Sequence, residues 1–314
     1  MKVHLNGQLV NSEDARVSVF DRGFLYGDGA FETMRVYDGV AFKLQEHVER
    51  LFGSLSMLGI VLPVGQNHVK QGNTEAYDHI KTQANIEAHD YIKAIVRTTV
   101  LANGLRDAYV RVTVTRGKFG GPGPGGIDTD GCDNPTVLVV AAKLTPYPAL
   151  WYEKGIRVAT VTLRRNLPEA LDARIKSLNF LNNVLARAEA KKAGAQEGLM
   201  LNHRGYLAEC TVANIFFVKG GTLFTPSMEC GILDGITRRT VINLARQEGI
   251  VVQEGEFFPD AFHSADEVFV TSSIMEIMPV AYVDETAYVV GKTTIALGGA
   301  FKKYVTRYVE EQIS

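Results

Sequence analysis

"VTLRRNLPEALDARIKSLNFLNNVLARAEA", residues 161–190, decides the fold class. It opens on a β-branched run, crosses a charged, proline-containing loop and ends in a helical pattern. Leu178, Leu181, Val184 and Leu185 recur at helical spacing, which predicts a helix over 177–193. Lys176 then falls where the loop becomes a helix N-terminus, with Arg174 close by. The unpaired N–H groups of a helix start disfavour a cation. A neighbouring positive charge acts the same way, so the free-amine fraction of Lys176 should rise. A neutral lysine amine is a nucleophile for carbonyl compounds. Taken by itself, though, a lysine beside a loop is more commonly a solvated charge.

Upstream, "VHLNGQLV" reads as a hairpin about Asn6-Gly7 and "FETMRVYDGVAFKL" as another about Asp38-Gly39. "QEHVERLFGSLSMLGI" reads as a helix, with Val48, Leu51, Leu55 and Leu58 on one face. Residues 65–90 are polar and weakly patterned, a helix or a surface insertion. Residues 91–103 read as a helix stopped by Gly104, and "AYVRVTVTRG" alternates as a strand. The Gly- and Pro-rich residues 119–135 read as an interdomain loop, either a linker or a flap over a cleft. This divides the chain into a small domain at 1–118 and a larger one at 136–314.

Beyond the loop, "TVLVVAA", "RVATVTL", "EGLML", "AECTVANIFFV" and "TLFTP" read as strands. A helix follows over 236–248, then strands near 250–254 and 266–272, and a closing helix from about residue 293. The mixture indicates an α/β protein of α+β type with much antiparallel pairing.

The 314 residues are 46% hydrophobic and 22% charged, with net charge −2, so a sizeable core is expected and nucleic acid is not an expected partner. No apolar run is long enough to span a bilayer, and "MKVHLNGQLV" has no signal-peptide core. Three widely spaced cysteines, Cys132, Cys210 and Cys230, fit no disulfide framework or zinc spacing; a cytoplasmic setting is the simplest expectation. No histidine pair has metal-ligand spacing, and no Walker, GxGxxG, HExxH or GxSxG motif is present.

Three more features carry chemistry. Glu209 in "YLAECTVANIFFV" is a carboxylate just ahead of an apolar strand; if buried it needs a cation or a hydrogen-bond donor. On an edge strand it would simply be solvated. "GILDGITRRTV" opens a helix at Gly235-Ile236-Thr237, where free N–H groups and a hydroxyl suit a phosphate, although glycine at a helix start is common. Glu46 and Arg50 lie four apart on one helix, either a solvated ion pair or an anion-seeking arginine.

The strings "YGDGAFETMRVYDG", "EHVERL", "KSLNFLNNVLA", "EGLMLNHRGYLAECTVANIFFVKGGTLFTP", "GILDGITRRTV" and "DEVFVTSSIMEIMPV" together resemble the class IV aminotransferases, the fold-type IV enzymes of pyridoxal 5′-phosphate, and most of all the branched-chain amino acid aminotransferases. The resemblance implies two domains with the cofactor site between them, and a homodimer or larger homo-oligomer. Lys176 would bind the cofactor covalently and shuttle the proton, while Glu209 would keep the ring nitrogen protonated. Arg50, Ile236, Thr237, Ser272 and Ser273 would hold the phosphate, and Leu233 would pack on the ring. Tyr26, Phe31, Arg35, Tyr109, Arg111 and the backbone at Ile274 would hold substrate, with Phe24 and Met275 adding to an apolar wall. The expected substrates are L-branched-chain amino acids and 2-oxo acids, 2-oxoglutarate above all.

The alternatives within the family are 4-amino-4-deoxychorismate lyase and transaminases of D-amino acids or (R)-amines. The D-amino acid enzymes carry Arg-x-His after the "TRG" strand, where this chain has "KFGGPGPGG". Phe180 stands where branched-chain enzymes often have a tyrosine, and Met275 and Met278 stand in place of smaller or polar residues.

Overall fold

The computed structural model describes residues 1–63 and 74–314, and side chains outside 64–85. Of the polar stretch 65–90, residues 65–73 lie outside what is described; from Thr74 onward the backbone is helical and runs without a break into the helix expected over 91–103. The chain divides into two compact units. The first comprises Met1–Leu144 and Ile175–Asn179, the second Thr145–Arg174 and Phe180–Ser314.

In the first unit the elements are β1 (Lys2–Leu5), β2 (Gln8–Asn11), α1 (Arg22–Tyr26), β3 (Gly29–Tyr37), β4 (Val40–Ala41), α2 (Leu44–Leu58), α3 (Thr74–Ala102), β5 (Ala108–Thr115) and β6 (Thr136–Lys143). They form an antiparallel sheet in the order β2-β1-β6-β5-β3-β4. Asn6 and Gly7 adopt φ of 47° and 87°, as a type I′ turn requires. Val48, Leu51 and Leu55 of α2 pack with Ile92 and Val96 of α3 on the Val110, Val112 and Val139 face of the sheet.

The Gly- and Pro-rich stretch is not an interdomain loop. It joins β5 to β6, two neighbours in one sheet, so the expected boundary at 136 moves to Thr145. Arg22, itself buried, fixes this stretch by donating to the carbonyls of Gly126, Ile127 and Asp128 at 2.7–3.0 Å. The stretch curls around the Phe119 ring, and a Cβ on Gly125 would come within 2.4 Å of it.

The second unit comprises α4 (Ala149–Lys154), β7 (Ile156–Arg164), α5 (Leu181–Lys192), β8 (Glu197–Leu201), β9 (Leu207–Cys210), β10 (Asn214–Lys219), β11 (Thr222–Pro226), α6 (Ile236–Gln247), β12 (Val252–Gly255), β13 (Glu267–Ser272), β14 (Glu276–Val283), β15 (Thr286–Ala287) and α7 (Lys292–Ile313). Its mixed sheet runs β12-β11-β10-β13-β14-β7-β8-β9, with β15 on β14. The expected strand over "AECTVANIFFV" breaks at Thr211, whose N–H turns back to the Gly198 carbonyl.

Two expectations about the opening stretch need correction. The helix starts at Leu181, not 177. The backbone of 176–178 instead runs along the start of β3: Phe31 N–H donates to Lys176 O and Leu178 N–H to Gly29 O, both at 2.9 Å. The first of these bonds occupies the Lys176 carbonyl, which a helix starting at 177 would need as its first acceptor. The apolar stripe also faces outward, with Leu181, Val184 and Leu185 exposed at 66%, 56% and 48%. The buried face is Asn183, Ala186 and Ala190. Small residues win there because Gly198 lies against them: a Cβ added to it would meet Ala190 Cβ at 3.0 Å.

Among the described residues no helix is long and apolar enough to cross a membrane, and no His/Cys/Asp/Glu group could hold a metal. All three cysteines are free and buried.

Candidate active site

Strand β3 sorts the first unit's polar residues by its period of two. Ala30, Glu32, Met34 and Val36 point to the core, each with 0% exposure. Phe31, Thr33, Arg35 and Tyr37 share the other face. There β5 places Thr113 opposite Phe31, Arg111 opposite Thr33 and Tyr109 opposite Arg35. The Arg111 guanidinium carbon lies 3.8 Å from the Phe31 ring centre, and Lys176 Nζ lies 4.6 Å from the same ring. Contacts of this kind contribute roughly 0.5–1 kcal/mol each when exposed. Arg35 stacks on Tyr37 at 4.4 Å and stands 3.7 Å from Asp107. Tyr26, at the end of α1, lies under Arg22. Phe31, Arg35, Tyr109, Arg111 and Lys176 thus belong to one neighbourhood of one unit.

Lys176 does not sit at a helix N-terminus. Arg174 is exposed and paired with Asp172, so its charge is already compensated. What fixes Lys176 is the β3 bonding and a hydrogen bond from its N–H to the buried Ser54 Oγ at 3.1 Å.

Helix α2 presents His47, Arg50 and Ser54 on one face. Arg50 donates from Nε to Glu32 Oε1 at 2.7 Å and from Nη2 to Oε2 at 2.9 Å. Glu46, one of the two partners its spacing allowed for Arg50, pairs instead with Lys43 at 2.7 Å. His47 Nδ1 meets Glu32 Oε2 at 2.7 Å. Burial alone would push the Glu32 carboxyl up, but the charges of Arg50 and then His47, with their hydrogen bonds, hold it well below the usual carboxylate range. Burial pushes His47 down, and the charges of Arg50 and Lys176 add to this against the pull of Glu32. The ring is then neutral near pH 7 and donates its Nδ1 proton to the carboxylate.

In the second unit Glu209 is buried on β9, and it is not a solvated edge residue. Its Oε1 accepts from Arg165 Nε at 2.8 Å; its Oε2 accepts from Leu233 N–H at 3.0 Å and Asn214 Nδ2 at 3.3 Å. Asn214 also donates to the Leu233 carbonyl at 3.1 Å, which ties Leu233 to this cluster. Helix α6 begins at Gly235 with no side-chain cap, leaving the first-turn N–H groups without intrahelical partners. Ile236 and Thr237 are buried there. Strands β13 and β14 meet in a three-residue turn, with Ser272 paired to Glu276 and Glu276 in the left-handed region at φ 56°. Ser272 Oγ accepts the Met275 N–H at 3.2 Å, and Ser273 and Ile274 form the half-buried tip. Met275 and Met278 pack in the core, so Met275 is not part of an apolar wall. Phe24 is exposed.

Reading the sequence passed over Glu32, His47, Ser54, Arg165 and Asn214. Only Glu32 left a signal, a charge at the apolar phase of an alternating strand.

Residues 29–283 match the family model of the amino-transferase class IV proteins. The chain belongs to the class IV aminotransferases. It is 41% identical to a Methanocaldococcus jannaschii protein provisionally named a branched-chain-amino-acid aminotransferase, over 98% of both chains. It is 32% identical to the aminodeoxychorismate lyase of Bacillus subtilis, over 99% of this chain and 97% of that one. The crystal structure of the Escherichia coli branched-chain amino acid aminotransferase superposes with a TM-score of 0.80 at 30% identity, covering 96% of this chain and 93% of that one.

Class IV aminotransferases use pyridoxal 5′-phosphate, and the residues here suit it. An uncapped helix start with the buried Thr237 suits a phosphate. The buried Glu209, held by three donors, keeps lone-pair capacity for a ring N–H. An amine fixed through its own backbone suits the covalent attachment.

Proposed function

We propose that this class IV aminotransferase moves the amino group of L-branched-chain amino acids to 2-oxoglutarate. The observation that carries the reading is the outer face of β3 and β5. It sets an aromatic ring, Phe31, beside two guanidiniums, Arg35 and Arg111, and the Tyr109 hydroxyl. An alkyl side chain needs the first and the second carboxylate of 2-oxoglutarate needs the others. The name given to the Methanocaldococcus jannaschii relative supports the same substrate class.

When bound, pyridoxal 5′-phosphate supplies an electron sink that labilises the bond to the substrate Cα proton. The chain does the rest. Lys176 is the nucleophilic amine and carries the proton at Nζ. Glu209 holds a positive charge at the ring nitrogen and is itself held by Arg165. Arg50, the first-turn N–H groups of Ile236 and Thr237, and the turn at Ser272 and Ser273 hold the phosphate. Leu233 packs beside the ring. Tyr26 joins Phe31, Arg35, Tyr109 and Arg111 around the substrate side chain, and the Ile274 backbone holds the α-carboxylate.

The outward stripe Leu181, Val184 and Leu185 supports assembly with a second copy, which light scattering reads directly.

Half-reactions test the substrate. Leucine carries three more side-chain carbons than alanine, about 2.4 kcal/mol at roughly 0.8 kcal/mol each, so L-leucine should discharge the visible band of the bound cofactor about 50-fold more efficiently than L-alanine. Faster discharge by D-alanine or (R)-1-phenylethylamine refutes the branched-chain reading. Release of pyruvate from aminodeoxychorismate, with no response to L-leucine, replaces it with the lyase.

A further inference from the structure

Glu32 is out of place by every rule of core packing. It occupies the apolar phase of β3, between Ala30 and Met34, with no exposure at all. A buried ion pair gains little stability over apolar residues of the same volume, so a carboxylate there needs a reason other than stability. Its contacts supply one. The carboxylate grips Arg50 side-on through Nε and Nη2, which fixes the plane and direction of the guanidinium. An arginine otherwise has several freely turning bonds, and ordering it on each binding event costs affinity. The grip is only as rigid as the carboxylate. His47, one turn before Arg50 on α2 and almost wholly buried, donates to the same Oε2 at 2.7 Å and stops the carboxylate from rotating.

From this geometry we infer that His47 and Glu32 are positioning residues that hold Arg50 in a preset orientation for the cofactor phosphate. The inference rests on the proposed role of Arg50. His47 touches neither cofactor nor substrate in this scheme; it acts through Glu32, and Glu32 through Arg50. The same helix face receives the Lys176 N–H at Ser54, so α2 registers both the phosphate anchor and the reactive lysine.

The test uses the full chain freed of cofactor and compares the dissociation constants of pyridoxal 5′-phosphate and pyridoxal. Their ratio isolates the phosphate contribution and cancels general damage to the fold. His47→Ala should weaken pyridoxal 5′-phosphate about tenfold, equivalent to about 1.4 kcal/mol, and leave pyridoxal within about twofold. His47→Gln, whose amide N–H can donate to Glu32, should restore most of the difference. If His47→Ala does not fold, Glu32→Asp reads the same ratio, because it withdraws the acceptor by one methylene. Arg50→Ala is measured alongside. If it raises the ratio of the pyridoxal 5′-phosphate constant to the pyridoxal constant and the His47 and Glu32 variants do not, the positioning role is overturned while the role of Arg50 stands. If Arg50→Ala leaves the ratio unchanged, the phosphate assignment itself fails and the positioning role falls with it.

Discussion

Gly235→Ala should destabilise the protein even though its backbone would welcome the change. Gly235 has φ −68° and ψ 128°, open to any residue, so removing a glycine there should by itself stabilise by about 0.4–1 kcal/mol. Space decides otherwise. A Cβ at this position would lie 2.0 Å from Asn214 Oδ1 and 3.1 Å from Arg238 Cβ. Asn214 is buried, and its Nδ2 donates to both Glu209 and the Leu233 carbonyl, so the amide cannot swing clear without breaking both bonds. Two such bonds contribute about 1 kcal/mol each. Residual overpacking adds about 1–3 kcal/mol, so the net loss is about 3 kcal/mol. Asn214→Ala should cost about 2 kcal/mol through the same two bonds. In the double variant the overlap is gone and the bonds are lost only once, so the total should be about 2 kcal/mol rather than the sum of about 5. Urea unfolding of the cofactor-free chain measures all four proteins. Additive losses, or a Gly235→Ala variant within about 0.5 kcal/mol of the parent, would refute the steric argument.

Lys176→Ala should abolish turnover with the urea midpoint unchanged, and borohydride reduction of the parent should place the pyridoxyl group on Lys176; finding it on another lysine sinks the assignment. Glu209→Gln should slow transamination on the order of 100-fold while changing cofactor affinity far less, and near-normal kcat would show that the carboxylate does not serve the ring nitrogen. Glu32 is held below its ordinary value of 4.5, so the stability it contributes is fully present above about that pH and is lost as pH falls below it. Glu32→Gln should therefore flatten the acid limb of stability between about pH 5 and pH 3, and equal slopes in parent and variant would overturn this.

The two hairpin turns and α2 were legible because the information is local. Asn6-Gly7 and Asp38-Gly39 supply the positive φ that their turns need, and the leucines of α2 repeat at one period. Helix α5 was legible in period but not in orientation. Periodicity shows that Leu181, Val184 and Leu185 share a face; only Gly198 on β8, which makes room for Ala186 and Ala190, shows that the opposite face is buried. The start of α5 was misread for a similar reason, since the bonds that hold 176–178 extended come from β3. Motif strings located Lys176, Glu209 and the α6 start. Their supports, Arg165 for Glu209 and Ser54 for Lys176, lie 44 and 122 residues away along the chain and leave no local pattern.

The five residues Ile175–Asn179 interrupt the second unit to serve the first. On the ribosome, the first unit therefore has its sheet complete at β6 but must wait for α4 and β7 to emerge before Lys176 can dock beside β3. A product truncated at Leu144 would keep the sheet, Glu32, His47 and Arg50, yet lack Lys176. No single cut separates the two units into modules that could be exchanged between relatives, because a swap at Thr145 would graft a foreign lysine segment onto the native β3. Recombination within this architecture has to carry the segment from 175 to 179 together with the strand that receives it.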